Sequence, residues 1–226
     1  MEKPENGLIG LPKFVEHKIA RTKDEAITAA LYEYVTAGNG LLLRAERSEF
    51  AASLALLEHP IRGLPDVETG IFWKKPPIAA ELWKEILADA RSRSEAGEFK
   101  EDVYVVFWNE ESKSWRWKWM SRERRFAATI ADDAQAEYGK ACLELHTHPP
   151  GAIRFSRADD RDESDKFRIF GILIDVHADA PKIRFRCGVY DFFKQIPAGW
   201  VGEMPTELID LNRVDLKLKE FSPDAD

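Results

Sequence analysis

The sequence predicts an α+β (α/β) fold, in which helices cover a mostly antiparallel sheet and a small β-rich unit comes first. Three observations predict it. Strand signals dominate the first 75 residues, a clear amphipathic helix follows Pro76-Pro77, and several strands then succeed one another around short polar turns. Such an order is typical of layered α+β domains. We divide the chain into an N-terminal unit (1–75), a larger domain (76–200) and a charged tail (201–226).

Composition and charge exclude several classes of protein. The chain has 226 residues, of which 44% are hydrophobic and 32% are charged, as expected of a globular protein. Its net charge of −7 argues against binding to nucleic acid. It contains no apolar run near the ~20 residues that span a bilayer, and its N-terminus does not resemble a signal peptide. Two cysteines are too few for a disulfide framework, so we expect buried thiols in a cytoplasmic protein.

Strand and turn signals in the sequence predict the structure of the N-terminal unit. Residues 1–12 are expected to be a flexible start. Residues 31–36 and 41–45 then predict two strands around Asn39-Gly40, because Asn-Gly is the strongest short signal for a hairpin. Residues 48–59 fit a strand or a helix, and 70–73 predict a short strand.

The larger domain begins with a helix that runs from Pro76-Pro77 to Gly97 and carries apolar residues at helical spacing. Residues 103–108 are apolar at every position, which predicts a central strand. In the next strand three tryptophans alternate with basic residues, so the indoles share one face; they either cover the helix, which we favour, or line a ligand groove. These residues are Trp115, Trp117 and Trp119. Residues 126–130 fit a further strand.

The second half of the domain predicts a strand over 141–148, a helix over 159–167 and a hairpin of 168–176 with 182–190. The chain from Asp210 onward is charged and expected to be peripheral. The predicted helix carries many charges, and we expect them to form a solvated face. They are Arg157, Asp160, Arg161, Asp162, Glu163 and Asp165.

One motif indicates a metal site. His146 and His148 are two residues apart in a predicted strand, so both imidazoles project from the same face. Asp159 can return to that point through a loop and the first turn of a helix, and Ser156 precedes it by three residues. Three protein ligands leave a fourth tetrahedral position open, as in catalytic rather than structural zinc sites. The alternative is a pair of core histidines satisfied by hydrogen bonds, which the added Ser and Asp disfavour.

This motif resembles the signature of the JAMM (MPN+, or JAB) zinc metalloproteases over about residues 76–197. The stretch Arg186–Tyr190 is similar to prokaryotic members, including those encoded beside ubiquitin-like modifiers. The resemblance implies one Zn²⁺ held by His146, His148 and Asp159, with Ser156 beside it. It also implies an upstream Glu that acts as general base.

Position alone identifies that Glu. The resemblance places it at the start of the strand after the first helix, some 45 residues before the first histidine, which is Glu101. Glu98 and Asp102 are the near competitors, and a solvated charge at a strand entrance is the ordinary alternative. Ser156 would donate to an oxyanion, cap the following helix, or do both. Glu144 shares the histidine face, as a support of the ligands or as a charge at the rim.

The resemblance implies cleavage of the amide bond after the C-terminal tail of a ubiquitin-like protein, in deconjugation or precursor processing. Two alternatives stay open: trimming of a sulfur-carrier-type ubiquitin-like protein, and a non-catalytic MPN scaffold. The implied partner is a ubiquitin-like protein or its conjugates, with no nucleic acid and no membrane. His177 and Cys187 are too few for a second closed zinc site, so we predict one ion.

Overall fold

The computed structural model describes residues 13–94, 101–120 and 138–213. The chain divides into two compact units, Met1–Phe72 and Trp73–Asp226. The predictions made for residues 1–12, for residues 126–130 and for Glu98 lie outside the described residues. Within the described ranges, no helix is both long enough and apolar enough to cross a membrane.

The N-terminal unit is built on one sheet whose strands are ordered as in the chain. Its strands are β1 (Val15–Ile19), β2 (Tyr32–Ala37), β3 (Gly40–Glu46), β4 (Phe50–Glu58) and β5 (Gly70–Trp73). The hairpin of β2 and β3 is confirmed, but its turn lies one residue earlier than predicted, at Gly38-Asn39, because Gly40 already pairs with Ala37. Gly40 has a φ of 133°, which favours glycine there. The ambiguous stretch 48–59 forms a strand, because it pairs antiparallel with β3 and buries Phe50 and Leu54.

The second unit is built on a larger sheet with the order β11-β10-β9-β8-β6-β7, and β12 also pairs with β10. Its strands are β6 (Val103–Asn109), β7 (Ser114–Met120), β8 (Leu143–His148), β9 (Phe167–Ile174), β10 (Lys182–Val189), β11 (Phe192–Ile196) and β12 (Ile209–Asp210). Most neighbouring strands are antiparallel, but β8 and β9 run parallel. The histidine strand β8 therefore lies inside the sheet, with β6 on one side and β9 on the other.

Helices cover both faces of this sheet. Helix α1 (Ala80–Ser94) buries an apolar stripe, and its Trp83 packs against Phe185 of β10 with ring centroids 5.6 Å apart. Helix α2 (Arg157–Glu163) instead contacts Arg186, the next residue along β10, which projects from the opposite face. The predicted α+β sandwich is confirmed.

The tryptophans of β7 lie on the α1 side. The indole N–H of Trp115 donates to the Pro76 carbonyl over 2.7 Å, and that of Trp117 donates to the Glu85 carboxylate over 2.8 Å. The rings therefore lie against the helix, as we favoured, but they are half-buried, and Trp115 and Trp117 also line a groove.

Two expectations about the second half need correction. The predicted helix 159–167 begins earlier and ends earlier, at Arg157 and Glu163, because Ser156 caps it and Asp165 has a φ of 60°. The peripheral position expected from Asp210 onward is wrong for Asn212. Asn212 is only 4% exposed, and its amide donates to the carbonyls of Phe185 and Ile196.

Candidate metal centre

Three side chains from the predicted motif converge on one point. His146 and His148 project from the same face of β8, and their Nε2 atoms are 2.9 Å apart. Asp159 of α2 faces both, with one carboxylate oxygen 3.3 Å from the His146 Nε2 and the other 3.4 Å from the His148 Nε2. All three residues are buried, at 2%, 5% and 5% exposure. Among the described residues they form a cluster able to hold a metal ion.

The separations match those of ligands around a tetrahedral ion. Zinc binds imidazole nitrogen and carboxylate oxygen at about 2.0–2.2 Å, and tetrahedral geometry then places two ligand atoms about 3.3–3.5 Å apart. Each contact between Asp159 and a histidine lies in that range, with a different carboxylate oxygen in each contact, and the two imidazoles are slightly closer. Two nitrogens and one carboxylate are a donor set that suits zinc.

The hydrogen bonding of His148 favours a cation between these groups. Its Nδ1 lies 2.9 Å from the Ala152 carbonyl, which can only accept, so Nδ1 carries the proton. In the neutral ring Nε2 then holds a lone pair that faces the Asp159 carboxylate. Lone pairs that face each other in a buried site need a proton or a metal ion between them. The carbonyl also orients the ring, as supporting acceptors do for metal-binding histidines.

The charges of the cluster perturb its protonation in the absence of metal. Burial alone would raise the pKa of Asp159, but hydrogen bonds from His146 and His148 hold it far below its usual range. Burial would likewise lower the pKa of His148, yet the bonds to Asp159 and Ala152 raise it overall. The site therefore favours an ionised carboxylate and positive charge beside it.

The S-x-x-D part of the motif forms the start of α2. The Ser156 hydroxyl accepts the Asp159 N–H over 3.2 Å, and an Asp159 carboxylate oxygen accepts the Ser156 N–H over 2.6 Å. This reciprocal pair is a capping box, which satisfies two free backbone donors at a helix start. The capping role considered for Ser156 is thus present. The same bonds orient the carboxylate that faces the histidines.

Strand register places Glu101 beside the cluster. Val103 pairs with His146 in antiparallel strands, and the Thr147 N–H donates to the Asp102 carbonyl over 2.9 Å. Continuing that register sets Glu101 opposite His148, on the histidine face. Its charge also contributes to the raised pKa of His148, after the larger effects of burial, Asp159 and Ala152.

The competitor Asp102 projects from the other face of β6. Its carboxylate accepts the Trp119 indole N–H over 2.6 Å, on the α1 side. Its backbone N–H donates to the Thr147 hydroxyl over 2.9 Å, which adds a second bond between β6 and β8 at this point. Register therefore favours Glu101 over Asp102 as the carboxylate that faces the histidines.

The helix that carries Asp159 is fixed by a buried arginine, which sequence reasoning missed. Arg186 is 5% exposed and donates to Glu163 over 2.7 Å and to Asp160 over 2.5 Å. Its guanidinium also lies over the rings of Phe155 and Phe193, at 3.9 and 4.1 Å from their centroids.

The expected solvated face of α2 is therefore wrong for Glu163, which is fully buried. Asp160 is exposed, as expected, but its carboxylate also pairs with Arg186. The physical reason is that α2 lies on the sheet, where β10 supplies a cation for both carboxylates. Alternation along β10 places Arg184 and Arg186 on the face opposite Phe185, and this was the available sequence signal.

A second buried pair lies two residues before His146. Glu144 is fully buried and accepts hydrogen bonds from Arg168 over 3.1 Å and from the Tyr138 hydroxyl over 2.8 Å. Arg168 also donates to the Tyr138 carbonyl over 2.8 Å. Of the two roles considered, the rim charge is excluded, because the carboxylate is enclosed. Glu144 instead ties β8 to β9 below the histidines.

Comparison with known families supports the same assignment. Residues 79–188 match the family described as prokaryotic homologs of the JAB domain. The chain carries a JAB/MPN-type domain. The resemblance inferred from the motif is confirmed, and the matched range includes Glu101, both histidines, Ser156 and Asp159. A comparison with curated proteins found no match. A domain of this type fits a metal-dependent hydrolase or an MPN scaffold.

Proposed function

We propose that this protein is a zinc-dependent peptidase or isopeptidase that cleaves the amide bond after the C-terminal tail of a ubiquitin-like protein. The observation that supports the proposal most strongly is the convergence of His146, His148 and Asp159 at ligand-like separations. A scaffold has no need for two imidazoles and a carboxylate that converge in a buried site, because burying polar groups costs free energy.

The three ligands would leave one tetrahedral position open, as hydrolytic zinc sites require. When bound, zinc supplies Lewis acidity that polarises a carbonyl and acidifies water. Glu101 would accept a proton from the attacking water and return it to the departing amine. Its place opposite His148 suits that task, because it lies on the ligand face at the strand entrance.

Ser156 would donate a hydrogen bond to the oxyanion that forms on the substrate carbonyl. Its cap to the Asp159 N–H uses an oxygen lone pair, so the hydroxyl proton remains able to donate elsewhere. Capping and catalysis therefore do not compete for the same part of the hydroxyl.

The substrate class rests on the family. An extended protein tail gains main-chain hydrogen bonds when it lies beside a strand edge, and it can then present its last carbonyl to the metal. Linear extensions and lysine isopeptides share that carbonyl, so both are candidate substrates. Trimming of a sulfur-carrier-type protein would use the same residues.

The test is cleavage of ubiquitin-like proteins fused to a C-terminal peptide, followed by mass spectrometry of the products. Zinc-loaded protein should cut directly after the tail, a chelator should stop cleavage, and added zinc should restore it. The matched control is His148→Ala, which should remain inactive with zinc added. Cleavage that persists in chelator would refute the metal mechanism. Zinc binding without cleavage of any modifier or conjugate would favour the scaffold.

A further inference from the structure

A cavity of about 410 Å³ opens beside the candidate metal centre. We refer to it as the β8-end cavity, since Thr147 and His148 at the end of β8 form part of its wall. Ser94 at the end of α1 and Pro150 after β8 form two further parts. The turn between β9 and β10, residues 175–178, completes it. His148 thus belongs both to this wall and to the metal cluster.

Direct hydrogen bonds hold the walls of the β8-end cavity together. Arg91 of α1 donates to the Val176 carbonyl over 2.6 Å, and Ser94 lies 2.5 Å from the His177 Nε2 through its hydroxyl. The Asp175 carboxylate accepts the Gly151 N–H over 3.0 Å, joining the turn after β8 to the turn after β9. The cavity is therefore preformed rather than opened by a ligand.

The chemistry of the lining favours an uncharged, apolar occupant. Most of the lining surface is carbon, including parts of Pro150, Val176 and Ala178. The polar side chains in the wall are already paired: Ser94 with His177, and Asp175 with Gly151 and with Lys182 over 2.5 Å. A charged ligand group would have to displace one of these partners.

The volume of the β8-end cavity and its position beside His148 also favour a substrate side chain as its occupant. The volume lies within the roughly 300–1,000 Å³ of typical small-ligand sites, enough for one bulky side chain and adjoining backbone. An extended peptide advances about 3.3 Å per residue. Since His148 both lines the cavity and belongs to the metal cluster, a substrate residue whose side chain enters the cavity would be near the bond at the metal.

We propose that the β8-end cavity is a specificity subsite that receives an apolar side chain of the substrate, within one or two residues of the cleaved amide. This inference rests on the proposed function, because a specificity subsite requires a substrate that is cleaved at the metal centre. It also deepens that function, because it predicts selection among tails or leaving peptides by a side chain and not only by the modifier fold.

Filling the cavity tests the inference. Ala178 is exposed and lines the cavity, whereas Ala180 is exposed in the same turn and is not among its lining residues. Ala178→Trp should fill the space, Ala178→Met should fill it in part, and Ala180→Trp is the matched control. Urea unfolding and zinc content should be unchanged in all three variants.

Binding is measured first, by NMR titration with N-acetyl-phenylalaninamide and N-acetylglycinamide. The phenylalanine probe should bind about tenfold or more tightly than the glycine probe, as expected when an apolar side chain leaves water. Ala178→Trp should remove that preference, and Ala180→Trp should keep it. Equal binding of the two probes, or a preference that survives Ala178→Trp, would overturn the inference.

Cleavage is measured second, on fusions that carry Phe, Leu, Ser or Gly on either side of the cleaved bond. Ala178→Trp should lower kcat/KM for the best apolar substrate about tenfold and leave the Gly and Ser substrates unchanged. A uniform loss over all substrates would overturn the inference while the proposed function stands. If no variant cleaves, yet the phenylalanine probe still depends on residue 178, the proposed function fails and the side-chain site is supported.

Discussion

Arg186→Met should destabilise the second unit, and by an amount that depends on pH. Methionine is an unbranched, uncharged side chain that can keep part of the packing against Phe155 and Phe193 while it removes the guanidinium. The fully buried Glu163 then loses a cation that now lies 2.6 Å from its carboxylate. Removing one partner of a buried ion pair typically costs about 3–5 kcal/mol, because the other charge stays buried and uncompensated.

Protonation of Glu163 limits that cost at lower pH. Burial raises the pKa of Glu163 to about 8, against the opposing effect of Arg186. A carboxyl whose pKa is higher in the folded state than in the unfolded state loses stability as pH rises between the two values. In the wild-type protein this loss of stability ends near pH 8. In Arg186→Met the pKa of Glu163 is higher still, so stability continues to fall above pH 8. The deficit of the variant should therefore grow by about 1.4 kcal/mol between pH 6 and pH 9, from about 1–3 kcal/mol to about 2–4 kcal/mol.

Urea unfolding of metal-free protein at pH 6 and pH 9 measures both deficits. Lys84→Met is the control, because Lys84 and Glu81 form an exposed pair whose loss should cost under about 1 kcal/mol at either pH. Zinc affinity should also fall, by roughly 10–100-fold, since Arg186 supports the helix that carries Asp159. A deficit that is equal at the two pH values, or below about 1 kcal/mol at pH 9, would refute this account of the buried pair.

Three further predictions concern the metal centre. His148→Ala should reduce bound zinc to a trace by elemental analysis, whereas His59→Ala, at an exposed position of the N-terminal unit, should keep it. Glu101→Gln should retain zinc but slow cleavage about 10²–10⁴-fold, and Glu111→Gln, in the exposed turn after β6, should have the wild-type rate; equal rates in the two variants would exclude Glu101 as the base. Ser156→Ala should lower kcat about 10²–10³-fold and the free energy of unfolding by about 1 kcal/mol; a loss of stability alone would mean that it only caps the helix.

Much of the fold follows from local patterns in the sequence. Asn39-Gly40 is enough to predict the first hairpin, because Asn-Gly between apolar runs is a strong hairpin signal, although the turn itself lies one residue earlier. The spacing of His146 and His148, with Ser156 and Asp159, is enough to predict which side chains converge, since strand alternation and helix capping are local rules.

The remaining features depend on long-range pairing. Glu163 and Glu144 are charged and were expected at solvated positions, at the rim, or in support of the ligands. Their complete burial is possible because Arg186 and Arg168 of neighbouring strands form ion pairs that offset the cost of removing the carboxylates from water. Asn212 likewise looks like part of a polar tail until the carbonyls of Phe185 and Ile196 are brought to it. A single sequence does not reveal which distant partner will reach a buried charge.

The capping box has a consequence for how the protein is assembled. One carboxylate, that of Asp159, both closes the first turn of α2 and faces the two imidazoles. An ion that binds there is therefore held by a carboxylate that already accepts a backbone hydrogen bond at the start of the helix. Occupancy and helix initiation are then thermodynamically linked, so that each one makes the other easier. Loading the ion should therefore tighten the whole segment from Ser156 to Glu163, and not only the three atoms that touch it.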